Sequence, residues 1–206
     1  MATRRYEQRL RADAAEDTRR RMLDALYDRL TAEPARAVTV DEIARAAGVA
    51  RSTVYLVFGS RAGLFDALAD RLTAGEGMEQ LVGALRLGDP RASLRGALEG
   101  GARMFAAHRD VFRVLFSLAE LDPDAIGDTV QRAEQRRARG IANLARRLTD
   151  GGHLREDVSA KQATDVIWLL AGFDAFDQLY TVRGLSARGT ARTLVETAER
   201  TLLRAA

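Results

Sequence analysis

The sequence predicts an all-α protein, with an N-terminal helix-turn-helix domain followed by a larger helical domain. No segment alternates apolar and polar residues with period two, and β-branched residues do not cluster between turn signals. Apolar residues recur instead at helical spacing, in segments separated by capping residues and glycines. The 206 residues are enough for one domain or two small ones.

The first helix is predicted from an apolar stripe that ends before Glu33-Pro34. Its members are spaced i, i+1, i+4, i+5 and i+8 along the chain: Met22, Leu23, Leu26, Tyr27 and Leu30. One face of this helix is therefore expected to lie on a core.

Two short helices follow. Thr39 and Glu42 form a capping box that opens a helix over about residues 40–47, and Gly48 ends it. Residues 51–58 form the next helix, which stops at Gly59. Two short helices joined by a tight glycine-containing turn are a helix-turn-helix unit.

The rest of the chain is predicted to be longer helices. Ser60 caps the helix that continues to a break at 75–77, and Ser159 with Gln162 forms a second capping box. Helices are expected over residues 78–87, 90–107, 109–119, 123–149, 160–183 and 187–204. This gives three parts: a flexible basic arm (1–14), a helix-turn-helix domain (15–74) and a second domain (75–206).

The excess positive charge lies at the N-terminal end. Residues 1–61 contain twelve arginines against nine carboxylates, whereas residues 62–206 contain twenty bases and twenty acids. This weak bias fits nucleic-acid contact but does not establish it. The arm contains four arginines: Arg4, Arg5, Arg9 and Arg11. They would either enter a minor groove of DNA or be solvated, and a solvated arm is favoured.

Composition argues against several classes of protein. The chain has no cysteine, which excludes disulfides and thiolate chemistry. The two histidines, His108 and His153, are too few and too far apart for a metal cluster, and no catalytic constellation is present. No apolar run approaches a membrane span or a secretion signal. We expect a soluble cytoplasmic protein without cofactor, metal or enzymatic activity.

The run from Val38 to Leu68 resembles the DNA-binding domain of the tetracycline-repressor (TetR) family of bacterial transcription regulators. The resemblance covers the capped helix, the Ala-Gly-Val turn, the Thr-x-Tyr-x-x-Phe helix and the Ser-Arg…Leu start of the following helix. It implies a homodimer that binds double-stranded operator DNA and releases it when a small-molecule effector binds the C-terminal domain.

The recognition helix supplies most of the predicted DNA contacts. In such a helix the N-terminal residues lie near base edges. The resemblance and side-chain chemistry assign Thr39, Arg51, Ser52, Thr53, Tyr55, Val57 and Arg61 to DNA binding. Leu56 and Val57 are both suited to contact a thymine methyl group, although only one of them need face DNA. Ala50 departs from the usual Ser or Thr cap, at a cost of about 1 kcal/mol.

The C-terminal domain is expected to bind the effector and to form the dimer. A hydrophobic or aromatic effector would contact Phe105, His108, Phe112, Phe116, Trp168, Phe173 and Phe176, although these aromatic residues also suit an ordinary core. The dimer interface is assigned to a four-helix bundle containing Ile167, Leu170, Leu194, Val195, Ala198 and Leu202.

The favoured function is thus a ligand-responsive, homodimeric repressor of a palindromic operator. Two alternatives remain: a small-molecule-binding helical protein without significant DNA function, and an enzyme that uses the C-terminal cavity. The first predicts no salt-dependent affinity for duplex DNA, and the second predicts turnover of a bound compound.

Overall fold

The computed structural model describes residues 2–34, 36–74, 83, 88–122, 126 and 128–205, and gives only the backbone for residues 2–5, 7–9 and 11. The predicted all-α class is confirmed. An isolated antiparallel bridge joins Leu154 and Leu203. The predicted break at 75–77 and all but one residue of the predicted helix 78–87 lie outside the described residues.

The helices are α1 (Ala2–Ala32), α2 (Val40–Ala46), α3 (Arg51–Phe58), α4 (Arg61–Thr73), α5 (Pro90–Ala107), α6 (Arg109–Leu121), α7 (Asp128–Asp150), α8 (Ala160–Leu170), α9 (Phe173–Asp177) and α10 (Ala187–Leu202). A π-helical segment, Gln178–Val182, continues from α9.

The chain forms two compact units. The N-terminal unit comprises Met1–Asp70 and Arg113–Val130, and the C-terminal unit comprises Arg71–Phe112 and Gln131–Ala206. The predicted division at 74/75 differs from this one chiefly because residues 113–130 group with the N-terminal segment. Periodicity predicts a helix but does not say which neighbours it packs against.

Helix α1 begins earlier than the sequence analysis expected. Its backbone is helical from Ala2, within the segment 1–14 that the sequence analysis expected to be a flexible arm. Residues 2–32 contain no glycine or proline, and alanine, arginine and glutamate all favour helix. The side chains of the four arm arginines, predicted to be solvated or to enter a minor groove, lie outside the described residues.

The core of the N-terminal unit is built from the predicted apolar positions of α1–α4. Met22 and Leu26 of α1 are fully buried, as are Ile43 of α2, Val54 of α3 and Phe65 of α4. Arg21 of α1 donates a hydrogen bond to the carbonyl of Ala47, the residue that caps the end of α2, at 2.7 Å. This bond satisfies a carbonyl oxygen that a helix end leaves without an intrahelical partner.

The predicted caps at Thr39, Ser60, Asp89 and Ser159 are confirmed. Both capping boxes form: the Thr39 and Ser159 side chains accept from the backbone N–H three residues on, and the Glu42 and Gln162 side chains accept from the cap N–H. Asp89 caps α5, and the Ser60 hydroxyl accepts from the Gly63 N–H.

The core of the C-terminal unit joins α5, α7, α8 and α10. Its buried members are Leu94, Leu98, Ile141, Leu144, Ala145, Leu148, Leu154, Ala163, Ile167, Val195, Ala198, Leu202 and Leu203. Each of these four helices contributes one apolar face, which is how an amphipathic helix stabilises a helical domain.

The predicted single helix over residues 160–183 is wrong. Helix α8 ends at Leu170, Gly172 takes an extended conformation (ψ 156°), and α9 starts at Phe173. A glycine costs about 1 kcal/mol in a helix interior relative to alanine. Because of this break, α8 and α9 are separate helices, and the spacing of one continuous helix does not predict which of their residues share a face.

Candidate nucleic-acid interface and effector site

Helices α2 and α3 are joined by a tight turn. Gly48 has φ 67°, a left-handed conformation that glycine adopts without strain, and the Val49 N–H donates to the Ala44 carbonyl at 2.9 Å. Gly59, at φ 75°, ends α3. The turn fixes α3 against α2 and leaves the outer face of α3 exposed.

Helix α3 separates an inner from an outer face. Val54 is 1% exposed and anchors the helix, whereas Arg51, Ser52 and Tyr55 are exposed and Thr53 is half-buried. As predicted from Ala50, the helix has no side-chain cap. Helix α3 is therefore held by the packing of Val54 and not by a side-chain cap.

Arg51 is held over the recognition helix by two neighbours. Its Nη1 lies 2.9 Å from Asp41 Oδ2, its Nη2 donates to the Tyr55 hydroxyl at 3.4 Å, and its guanidinium carbon lies 5.6 Å from the Tyr55 ring centre. The hydrogen bond with Tyr55 and the Asp41 charge both raise the pKa of Arg51. The long arginine is thus restricted before any partner binds.

Thr39 lies at the exposed start of α2. Its hydroxyl accepts from the Glu42 N–H at 3.3 Å and donates to Glu42 Oε2 at 3.0 Å. Hydrogen bonds from the Thr39 N–H and hydroxyl lower the pKa of Glu42. A phosphate that takes the Thr39 hydroxyl proton must therefore replace its bond to Glu42.

Arg61 lies at the start of α4 and is more enclosed than the sequence analysis assumed. Its Nη1 is 3.8 Å from Asp122 Oδ2, and its guanidinium carbon lies 5.6 Å from the Phe65 ring centre. Its Nε is buried without a hydrogen-bond partner among the described residues. A phosphate contact would require Arg61 to move away from Asp122.

Four of the seven predicted effector residues come together. The Phe105 ring centre lies 5.1 Å from that of Phe112, 5.4 Å from that of Phe173 and 5.6 Å from that of Phe176. Tyr180 stacks on Phe176, with 5.0 Å between the ring centres. We call these five rings the aromatic cluster. The rings contact one another, so the cluster is packed as a core.

Polar groups lie in the same unit, on the elements that carry the rings. His108 follows α5, and burial, then the Arg71 charge, lower its pKa. Arg109 Nε donates to Asp177 Oδ1 at 2.8 Å and to Thr181 Oγ1 at 2.7 Å. Sequence reasoning missed this pair because Arg109 and Asp177 are far apart in the chain and neither has a motif.

Trp168 lies on an exposed face of α8, and Phe116 lies on α6. Trp168 is 47% exposed, and the Arg137 guanidinium carbon lies 4.8 Å from its ring centre. Phe116 belongs to the N-terminal unit. Because α8 ends before α9 begins, the outer face of α8 is not continuous with the aromatic cluster, and the effector contacts of Trp168 and Phe116 stay a prediction.

The residues assigned to the dimer interface are mostly core residues of the chain itself. Ile167, Ala198 and Leu202 are fully buried, Leu194 is 3% exposed and Val195 is 7% exposed. Leu170 is half-buried. In the single chain these side chains pack as core, and their role in a dimer interface stays a prediction. An apolar stripe at helical spacing looks the same in the sequence whether it packs in a core or in a dimer interface.

An open groove of about 870 Å³ lies in the C-terminal unit between α5 and α10. Its lining is strongly charged and includes Arg95, Glu99, Arg103, Arg188, Arg192 and Glu196. None of the seven residues predicted to bind the effector lines this groove. In the described part of the chain, no three His, Cys, Asp or Glu side chains are grouped to hold a metal ion.

The geometry of α2 and α3 defines a helix-turn-helix protein. Residues 23–68 match the family described as bacterial regulatory proteins, tetR family. The HTH-type transcriptional regulator AlkX of Mycobacterium tuberculosis is 47% identical over 51 residues, which cover 25% of this chain and 24% of that protein. The predicted resemblance of the N-terminal segment to the TetR family is therefore confirmed.

Solved structures extend the likeness in fold to nearly the whole chain. NalD, the secondary repressor of the MexAB-OprM multidrug efflux pump in Pseudomonas aeruginosa, aligns with a TM-score of 0.74 at 22% identity over 93% of this chain and 98% of NalD. A protein of Saccharomonospora viridis, crystallised with choline, gives 0.64 at 20% identity over 92% and 100%. At this identity the matches show a shared fold.

Within the described residues, no helix combines the length and the apolar character that crossing a membrane requires.

Proposed function

We propose that the protein is a homodimeric DNA-binding transcription regulator that represses a palindromic operator and is released by a small hydrophobic or aromatic effector. The observation that carries the proposal is the exposed outer face of α3, in a segment that matches the TetR family. A recognition helix presents such a face to the major groove.

Arg51 is the residue best placed to read a base. Its fork-shaped guanidinium can bond both acceptors of a guanine, and its neighbours already restrict its position. Asp41 neutralises part of its charge in the free protein. DNA binding then exchanges the Asp41 contact for a base or phosphate contact.

Phosphate contacts would come from the hydroxyls of Ser52, Thr53 and Tyr55 together with Thr39 and Arg61. Hydroxyl and guanidinium donors to phosphate oxygens fix the register of a protein on DNA without reading its sequence. Arg61 contributes to this group once it exchanges Asp122 for a phosphate.

A second copy is required because one short recognition helix reads too few bases to select a site in a genome. The proposed interface includes the outer face of α8, where Trp168 is 47% and Leu169 62% exposed. Neighbouring exposed apolar side chains of this size suit a symmetric contact in which the same patch meets itself. Leu170, which is half-buried, borders this pair in the sequence.

The effector is proposed to bind at the aromatic cluster by separating rings that contact each other in the free protein. The edge-to-face packing of Phe105 on Phe112 would be exchanged for contacts with an apolar or aromatic ligand. His108 and the Arg109–Asp177 pair lie on the same elements and supply polar groups for orientation. Ligand binding then reduces DNA affinity through coupling between the two sites.

Selection of binding sites from random duplex DNA, followed by affinity titration across salt concentrations, tests the function. Arg51→Ala should lose about 1–3 kcal/mol on the selected operator and relax the preference at one base position. Arg61→Ala should weaken all duplexes and reduce the salt slope by about one. Arg139→Ala, which removes an exposed charge of α7, is the matched control and should change neither.

Two results would support the alternative functions. If no duplex shows salt-dependent affinity, the protein is a small-molecule-binding helical protein. If a compound that binds the C-terminal unit is turned over, it is an enzyme. A binding screen that monitors operator release identifies the effector. Trp168 fluorescence would report on the outer face of α8 rather than on the aromatic cluster.

A further inference from the structure

We propose that Leu56 determines base specificity by packing against the 5-methyl group of a thymine in each operator half-site. This inference rests on the DNA-binding function proposed above and names the base that one side chain selects. It also replaces Val57, which the sequence analysis assigned to the site.

Leu56 is the most exposed large apolar side chain of α3. It is 85% exposed, whereas Val57 is 38% and Tyr55 37% exposed, and Val54 is 1% exposed. The core of the N-terminal unit is therefore complete without Leu56. Exposing a leucine costs free energy that burial against a partner would recover.

The position of Leu56 on the helix indicates the partner. Residues four apart share a helix face, so Leu56 lies one turn beyond Ser52, beside the stripe formed by Arg51 and Tyr55. Arg51 and Tyr55 are already linked by a hydrogen bond and by the ring contact. Leu56 thus forms an apolar spot beside a base-reading cation, on the face that a recognition helix presents to the major groove.

Thymine supplies the apolar group that fits this spot. In the major groove the thymine 5-methyl group is the apolar feature of the base edges, which otherwise present hydrogen-bond donors and acceptors. Leucine has no polar side-chain atom and can make only the apolar contact. Val57 lies one residue on, rotated by about 100° toward half-buried Thr53, and its smaller exposed fraction suits packing within the domain.

Replacing thymine by uracil in the selected operator removes this methyl group and leaves the hydrogen-bonding groups unchanged. Burial of one methyl group is worth about 0.8 kcal/mol, which corresponds to about fourfold in affinity. Uracil in both half-sites should therefore weaken wild-type binding about 15-fold if the two contacts add.

The same two operators, with thymine or with uracil, are then measured with Leu56→Ala, which completes a double-mutant cycle. Val57→Ala is the matched control. Leu56→Ala should bind both operators equally, at about the affinity of wild type for the uracil operator. Val57→Ala should keep the full discrimination. Because Leu56 is exposed, its replacement should leave the melting temperature unchanged, which a thermal melt verifies.

The outcomes separate this inference from the proposed function. If selection enriches no duplex, the DNA-binding function itself fails. If an operator is enriched but uracil weakens no position for wild type, or weakens Leu56→Ala as strongly as wild type, Leu56 does not read thymine and the inference is overturned. A discrimination lost only in Val57→Ala would assign the contact to Val57.

Discussion

The two units differ in where their candidate functional side chains lie. In the N-terminal unit the core is made by residues such as Met22 and Val54, and the candidate DNA contacts, Arg51 and Ser52 among them, are exposed. In the C-terminal unit many of the side chains that the sequence assigns to effector binding and dimerisation are themselves buried, as Phe176 and Ala198 show. The candidate functional residues and the core residues are therefore different residues in the N-terminal unit, whereas in the C-terminal unit many residues belong to both groups.

This difference affects how a substitution is interpreted. A change on the outer face of α3 should alter binding with little effect on stability. A change in the aromatic cluster or on the inner face of α10 should alter stability first. The same loss of function would then have different causes in the two units.

The largest effect is expected from Val195→Glu. Val195 packs in the core with Leu94 and Ile167, so the variant buries a carboxylate without a partner. We expect the free energy of unfolding to fall by about 3–5 kcal/mol. Thermal unfolding followed by circular dichroism measures this loss. Thr197→Glu, at an exposed position of the same helix, is the control and should remain stable.

This result would sharpen the comparison, because a stripe that was predicted to form a dimer would prove to be the core of one chain. A Val195→Glu protein that melts like wild type but sediments as a monomer would instead restore the original assignment.

The next effect concerns the proposed dimer surface, which is the outer face of α8. Leu169→Glu places a charge on the exposed face of α8, where a second copy is proposed to pack. We expect the dimer to weaken by about 2 kcal/mol, the range of an interface hot spot, with the melting temperature of the folded chain little changed. Analytical ultracentrifugation gives the dimer affinity.

Leu121→Glu is the matched control for that variant. Leu121 is 83% exposed and belongs to α6, so the same substitution should leave the dimer intact. Equal dissociation of both variants, or of neither, would show that the outer face of α8 is not the interface.

A smaller effect tests how α3 is ordered. Ala50 has the extended backbone of a helix cap, with φ −74° and ψ 149°, but no side chain to accept a hydrogen bond. Ala50→Ser should supply that acceptor and stabilise the protein by about 1 kcal/mol. Urea denaturation would detect it. No gain, or a loss, would mean that the packing of Val54 already fixes the helix start.

The smallest effect is a pH dependence from His108. Burial and the Arg71 charge place its folded-state pKa below the ordinary value of 6.5. Between these two pKa values the unfolded chain binds more protons, so the free energy of unfolding should fall as pH decreases below 6.5 and level off below the folded-state pKa. His108→Gln should remove this part of the pH dependence, measured as the difference between the two proteins. Identical profiles would contradict it.

The fold was predictable where local signals determine it. The capping boxes of Thr39 and Ser159 and the glycine turn at Gly48 depend on residues within a few positions, and each is confirmed. The break at Gly172 was missed because one glycine in an apolar segment does not by itself end a helix.

The sites were predictable to a smaller extent. The outer face of α3 follows from helical spacing and the family motif, but the contacts that hold Arg51 and Arg61 do not. Asp122 lies 61 residues beyond Arg61 in the sequence, and the Arg109–Asp177 pair is similarly distant. An apolar stripe on α10 was equally compatible with a core and with an interface, and only the packing of α5 against it distinguishes them.

The most direct test of the account is to change the spacing of the two halves of the selected operator. Two recognition helices of a symmetric dimer read half-sites about one helical turn apart, roughly 10 base pairs. Inserting about half a turn between the half-sites places them on opposite faces of the duplex, and we predict that affinity, measured by fluorescence anisotropy, then falls to that of non-specific DNA. Unchanged affinity for the respaced operator would show that the protein does not bind as a dimer that reads two half-sites through α3.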